Sequence, residues 1–125
     1  FRNVRVIPNY NPGDDGIPRS TAGGAGDQGD IECFEEENGI LVEVTMSQGT
    51  QQHQMESASI ARHLKKFSTK NEGSSLCYLV APKIFNDTRE FMEFGYFKDE
   101  RRIKGFDIVD FTEFLEENEK LYNWN

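Results

Sequence analysis

A chain of 125 residues, 36% hydrophobic and 29% charged, is sized for one soluble domain or a piece of a longer protein. No apolar run approaches the roughly 20 residues of a membrane-spanning helix, so the sequence excludes that class. The net charge of -8 argues against a nucleic-acid footprint spread over the whole surface.

The start, Phe1-Arg2-Asn3-Val4, lacks the pattern of a secretory leader and reads as an excised domain or a trimmed chain. Cys33 and Cys77 are too few for a disulfide framework and have no zinc-ligand spacing. Both lie in apolar runs, as buried free thiols of a reducing cytosol would. Charge is unevenly placed. Residues 30–49 carry 6 acidic and no basic side chains, whereas residues 50–71 carry 4 basic and 1 acidic. Two solvated faces would explain this, and so would a cation site beside a phosphate-attracting surface.

Residues 1–29 read as an irregular Gly/Pro-rich segment packed on the domain, which occupies 30–125. Val4–Ile7 reads as a short strand or docking arm. The Gly-rich stretch Thr21–Gly29 lacks the Lys-Ser/Thr of a phosphate loop and follows no strand, so it is not a nucleotide site.

Strand character begins at Asp30, with Ile31 and Cys33 alternating against Glu32 and Phe34. Ile40–Met46 is a second strand, with Leu41, Glu43 and Thr45 on the face opposite Ile40, Val42 and Val44. The connection admits two registers. A two-residue Asn38-Gly39 turn pairs Phe34 with Glu43, and turn chemistry favours it. A longer connection over 35–38 pairs Phe34 with Gly39 and sets Asp30 opposite Glu43. Both registers keep Asp30, Glu32 and Glu43 on one face.

A helix follows over about 50–67, with Ile60, Leu64 and Phe67 as its buried stripe and with Glu56 and His63 sharing a face. Leu76–Ala81 is nearly continuous in apolar residues, as a strand covered on both faces is. Asn86 or Asp87 caps a second helix whose Phe91, Phe94 and Phe97 read as core. Phe106–Val109 is a short strand, and a last helix starting at Asp110 or Thr112 carries Phe114, Leu115 and Leu121. The order is β-β-α-β-α-β-α.

The residues that could do chemistry are Gly29-Asp30 and, thirteen positions on, Glu43 inside Ile40-Leu41-Val42-Glu43-Val44. An unpaired carboxylate in an apolar run is costly and calls for compensation. A divalent cation is one partner. Mg²⁺ takes one or two carboxylates plus waters and phosphate oxygens, and the Val44 carbonyl could add another oxygen. The plainer account sets Glu43 on a solvated sheet face.

Gly-Asp-Ile-Glu, then Ile-Leu-Val-Glu-Val-Thr, then a helix with Gln52, Glu56 and Arg62-His63-Leu64, resembles the catalytic domain of AlwI-like type IIS restriction and nicking endonucleases. These belong to the PD-(D/E)xK nucleases, with the FokI cleavage domain. The resemblance covers about residues 16–115 and is most specific over Gly29–His63.

It implies an α/β fold, a restriction-endonuclease-like mixed central sheet flanked by helices. It implies a Mg²⁺-dependent DNA endonuclease, with Mn²⁺ as a substitute. Asp30, Glu43 and the Val44 carbonyl would hold the metal. Glu56 and His63 would complete the catalytic set, and Gln52, Lys65 and Lys66 would contact DNA. Gly29 replaces the motif's Pro. Thr45 stands where the superfamily has Lys, as it does in the AlwI-like branch. A further carboxylate of the family would precede Phe1.

The implied setting is a prokaryotic cytoplasm, with double-stranded DNA as substrate. Recognition would come from another domain or subunit, and a second catalytic domain would complete a double-strand cut. A nuclease of the same fold acting on repair or recombination intermediates, and a degenerate dimerisation domain, are the alternatives.

Overall fold

Strand alternation and apolar continuity come together in one mixed sheet, seen in a computed structural model that describes residues 3–9, 11–12, 18–19 and 29–124. Strands β1 (Val4–Pro8), β4 (Ile31–Glu35), β5 (Asn38–Val44), β6 (Ser75–Ala81) and β7 (Ile103–Asp107) lie in the order β1-β4-β5-β6-β7. Asn11–Pro12 (β2) and Pro18–Arg19 (β3) pair as a separate two-stranded ribbon. The Gly-rich stretch up to residue 28 lies outside the described residues.

The pairs β1–β4 and β4–β5 are antiparallel, whereas β5–β6 and β6–β7 are parallel. Parallel neighbours need crossovers. Helix α1 (Gly49–Thr69) makes the first and α2 (Asn86–Asp99) the second. Residues 4–8 thus form an edge strand of the main sheet.

The two faces of the sheet hold two cores. On one, Leu41, Cys77, Leu79 and Ala81 meet Ile60, Leu64 and Phe67 of α1 and Met92 of α2. On the other, Ile40, Val42, Leu76, Tyr78 and Val80 meet Phe106, Phe114 and Leu121. The strand read as covered on both faces is so, with Leu76 to Leu79 fully buried. Burying apolar surface at ~25 cal/mol per Å² makes these layers the main source of stability. Cys33 and Cys77 are buried free thiols, and burial raises both pKa values, Cys33 to about 11.

Three expectations are corrected. The short strand ends at Asp107, and the last helix, α3 (Ile108–Glu117), begins at Ile108. Asp107 accepts the Ile84 N–H on a carboxylate oxygen (2.7 Å), which ties the junction of β7 and α3 to the loop after β6. Leu121 lies beyond α3 in a tail held by two buried side chains. Glu35 accepts the Leu121 and Tyr122 N–H groups, and Tyr78 donates to the Leu121 carbonyl. Finally, α2 buries Thr88, Met92 and Gly95, so Phe94 and Phe97 face outward at 58% and 87% exposure.

The hairpin takes the second register. Phe34 pairs with Gly39 and Ile31 with Val42, so one step further Asp30 stands opposite Glu43. The bend is at Glu36-Glu37, with Glu36 at φ 57°, instead of Asn38-Gly39. Contacts outside the hairpin decide this. The Gly39 N–H bonds the Ser74 carbonyl at 2.8 Å. The Phe67 ring also lies over Gly39, where a Cβ would come within 2.7 Å of it. Gly39 is thus needed as a flat spot under α1.

Candidate active site

The site lies where the β4–β5 ladder runs out. Asp30 directly precedes β4, and its Oδ2 accepts the Val44 backbone N–H at 2.8 Å. The Thr45 N–H points the other way, to the Val80 carbonyl at 3.0 Å. In an extended strand the N–H and C=O of one residue point to the same side. The Val44 carbonyl therefore shares Asp30's side, past the last β4 partner.

Glu43 faces α1 and is 5% exposed. Burial, then the Asp30 charge beside it, pushes its carboxyl up to about 8. Its Oε1 meets His63 Nδ1 at 2.7 Å. One proton is shared across that contact, on the ring or on the carboxyl. The residue before Asp30 has no room for a side chain. A Cβ on Gly29 would collide with Leu41 Cδ1 and lie 2.9 Å from Glu43 Oε1. That crowding accounts for Gly in place of Pro.

Glu56 stands two turns before His63 on α1. Its Oε1 accepts the Thr45 hydroxyl at 2.9 Å. Burial, and secondarily the Asp30 charge, raise its pKa, against the lowering effect of the Thr45 bond. Asp30, Glu43 and Glu56 are thus electrostatically coupled, and His63 is bonded to one of them.

The expected DNA contacts fare differently. Lys65 and Lys66 are exposed on the last turns of α1. Lys65 lines a groove of about 830 Å³ with Arg62, Arg101 and Arg102. Gln52 is a correction. It is fully buried, its Nε2 donates to the Ser47 and Lys83 carbonyls, and its Oε1 accepts the Phe85 N–H. It clamps the loops after β5 and β6 and has no surface to offer DNA. His53 is half-buried, bonded to Ser57 and set edge-on to Phe91.

Sequence reasoning missed Ser47, whose hydroxyl lies 2.8 Å from Thr45 Oγ1 and whose N–H donates to that oxygen. The Thr-x-Ser spacing was the available signal. Glu32, on the same face as Glu43, is drawn away to Lys70 at 2.8 Å.

A mixed sheet crossed by helices, with acidic side chains gathered where a central strand leaves its antiparallel partner, defines the restriction-endonuclease-like class. The chain belongs to the AlwI restriction endonuclease family, whose model matches residues 2–116. Its fold is similar to the small subunit (R.BspD6I2) of the heterodimeric restriction endonuclease R.BspD6I, with a TM-score of 0.79 and 20% identity. The match covers 95% of this chain and 63% of that one, so this chain spans less than two thirds of that subunit. Among curated proteins, none matches the chain.

Proposed function

We propose that this chain is the catalytic part of a Mg²⁺-dependent DNA endonuclease, with sequence recognition supplied by another domain or subunit. The observation that carries the reading is the register of the hairpin, which sets Asp30 against Glu43. Family membership supports it.

Among the described residues, no group of three or more His, Cys, Asp or Glu side chains forms a metal cage. Mg²⁺ does not need one, since it keeps several waters and takes one or two carboxylates. The donor chemistry fits. Asp30 and Glu43 are hard oxygen donors that repel each other, and a divalent cation between them would let both ionise. Asp30, Glu43 and the Val44 carbonyl would hold it, and Mn²⁺ would substitute. When bound, the ion would lower the pKa of a water and neutralise phosphate oxygens.

The chain's own residues would do the rest. Glu56 would orient the attacking water. His63, already sharing a proton with Glu43, would take up the proton that water loses. Water oxygen bonds to phosphorus, the bond to the 3′ oxygen breaks, that oxygen takes a proton from solvent, and the ends are a 5′-phosphate and a 3′-hydroxyl. Lys65 and Lys66 would attract the flanking backbone. One such centre cuts one strand, so a double-strand break would use a second catalytic domain. The fold neighbour is described as one subunit of a heterodimer, which supports a partner subunit here.

The test is Mn²⁺ calorimetry together with cleavage of supercoiled plasmid, on wild type, Asp30→Ala and Glu43→Ala. Metal binding and metal-dependent nicking are expected in the wild type, with both lost in each variant while the circular dichroism is unchanged. Nicking that survives in Glu43→Ala would overturn the proposal.

A further inference from the structure

Thr45 directly follows β5, the strand that carries Glu43, at the position where the resemblance to PD-(D/E)xK nucleases would put a lysine. It is 8% exposed and carries no charge, so it cannot do what a cation does. Its hydroxyl is nonetheless fully engaged. It donates to Glu56 Oε1 at 2.9 Å, accepts the Ser47 N–H at 3.1 Å and touches Ser47 Oγ at 2.8 Å.

We infer that Thr45 is a positioning residue for the nuclease reaction: its hydroxyl fixes the Glu56 carboxylate at the metal-binding end of β5. The inference rests on the nuclease reading given above.

The bonds form a relay of contacts. Buried Gln52 donates to the Ser47 carbonyl at 3.1 Å, Ser47 donates to Thr45, and Thr45 donates to Glu56. Gln52 and Glu56 are four residues apart on α1, so the relay starts and ends on the same helical face. Between them it runs through the loop after β5, which makes the helix and the strand one unit. A hydroxyl that accepts one hydrogen bond is polarised to donate another.

Residue type fits the task. Thr is β-branched, so χ1 is stiff and the hydroxyl direction is set before Glu56 arrives. The consecutive residues Val44 and Thr45 then hold two carboxylates. The Val44 N–H holds Asp30 and the Thr45 O–H holds Glu56. With Oε1 bonded, the Glu56 carboxylate has one preferred setting instead of a spread of rotamers. Supporting bonds of this kind in metal sites are worth about 10–100-fold in activity.

A simpler structural account would have Thr45 only close the turn to Ser47. The two accounts part in a double-mutant cycle on the full chain, with single-turnover nicking as the readout. Thr45→Val is expected to lower the rate about 10–100-fold with DNA affinity unchanged, and Thr45→Ser to recover most of it. In a Glu56→Gln background, Thr45→Val should have no further effect. A crystal structure of Thr45→Val should show the Glu56 carboxylate displaced, which is a readout independent of activity. Thr45→Ala takes the place of valine if valine does not fold.

Full activity in Thr45→Val, or a loss that simply adds to that of Glu56→Gln, would overturn the positioning role and leave the nuclease reading standing. A wild type that neither binds Mn²⁺ nor nicks DNA would overturn the nuclease reading and this role together.

Discussion

The Val44 backbone N–H donates to Asp30 Oδ2 at 2.8 Å, which ties the first carboxylate of the site to the residue following the second. This bond caps the hairpin at the end where the ladder stops. It also turns Asp30 toward Glu43, and the result is a like-charge pair at the edge of the core. Glu43 is the buried member, so the cost of the arrangement falls on it.

That cost gives a pH dependence of stability. The Glu43 pKa is raised in the folded chain from 4.5 to about 8. Stability linked to this group is therefore fully present below about 4.5 and is lost as the pH rises to about 8. The total is on the order of 5 kcal/mol. Urea denaturation without metal should show stability falling across this range in the wild type. In Glu43→Gln most of that slope should vanish, and the variant should be the more stable of the two above pH 8. Mg²⁺ should raise the stability of the wild type at the alkaline end and leave Glu43→Gln unchanged.

Glu36 occupies the left-handed region at φ 57°, which costs a non-glycine residue about 1 kcal/mol. Among the described residues its carboxylate makes an exposed contact with Lys120 at 3.2 Å, and such pairs contribute little. Glu36→Gly is expected to stabilise the chain by about 0.5–1 kcal/mol. An unchanged or lower urea midpoint would contradict this.

Gln52 serves structure. Replacing it with Ala leaves the Phe85 N–H and the Ser47 and Lys83 carbonyls without their partner. Unsatisfied buried groups cost about 1–3 kcal/mol each before relaxation, so Gln52→Ala should lose about 2–4 kcal/mol in thermal or urea unfolding. The salt dependence of its DNA binding should equal that of the wild type, because the side chain never meets a phosphate.

Lys65 and Lys66 should behave in the opposite way. Each phosphate contact contributes about one unit to the slope of log affinity against log salt. Fluorescence anisotropy over a salt series should show a shallower slope for Lys65→Ala and Lys66→Ala, with unfolding midpoints within about 0.5 kcal/mol of wild type. A slope equal to that of the wild type would remove these residues from the DNA-facing surface.

Much of the frame was legible because it is periodic. The alternation of Ile40, Val42 and Val44 against Leu41, Glu43 and Thr45 places each residue on its face whichever register the hairpin takes. The stripe Ile60, Leu64 and Phe67 likewise fixes the buried side of α1. The misreadings share a cause. Phe94 and Phe97 are apolar, yet α2 turns Thr88, Met92 and Gly95 inward, with Met92 over Gly105 of β7 and the Arg101 side chain against Gly95. Asn38-Gly39 is a strong turn signal, yet Gly39 serves the approach of Phe67.

The family resemblance pointed to Asp30, Glu43, Glu56 and His63 as one set, whereas the residues by themselves determined the α/β frame and the central apolar strand. Such features depend on local spacing, which any folded form of the chain must respect. Only the tertiary structure decided that Asp30 meets Glu43, that Glu56 is reached by Thr45, and that Gln52 turns inward. Each of those outcomes depends on contacts between residues distant in sequence: Phe67 over Gly39, α1 against β5, and the loop after β6 against α1. Register and rotamer choice are settled by packing between elements, and no periodicity within one element encodes them.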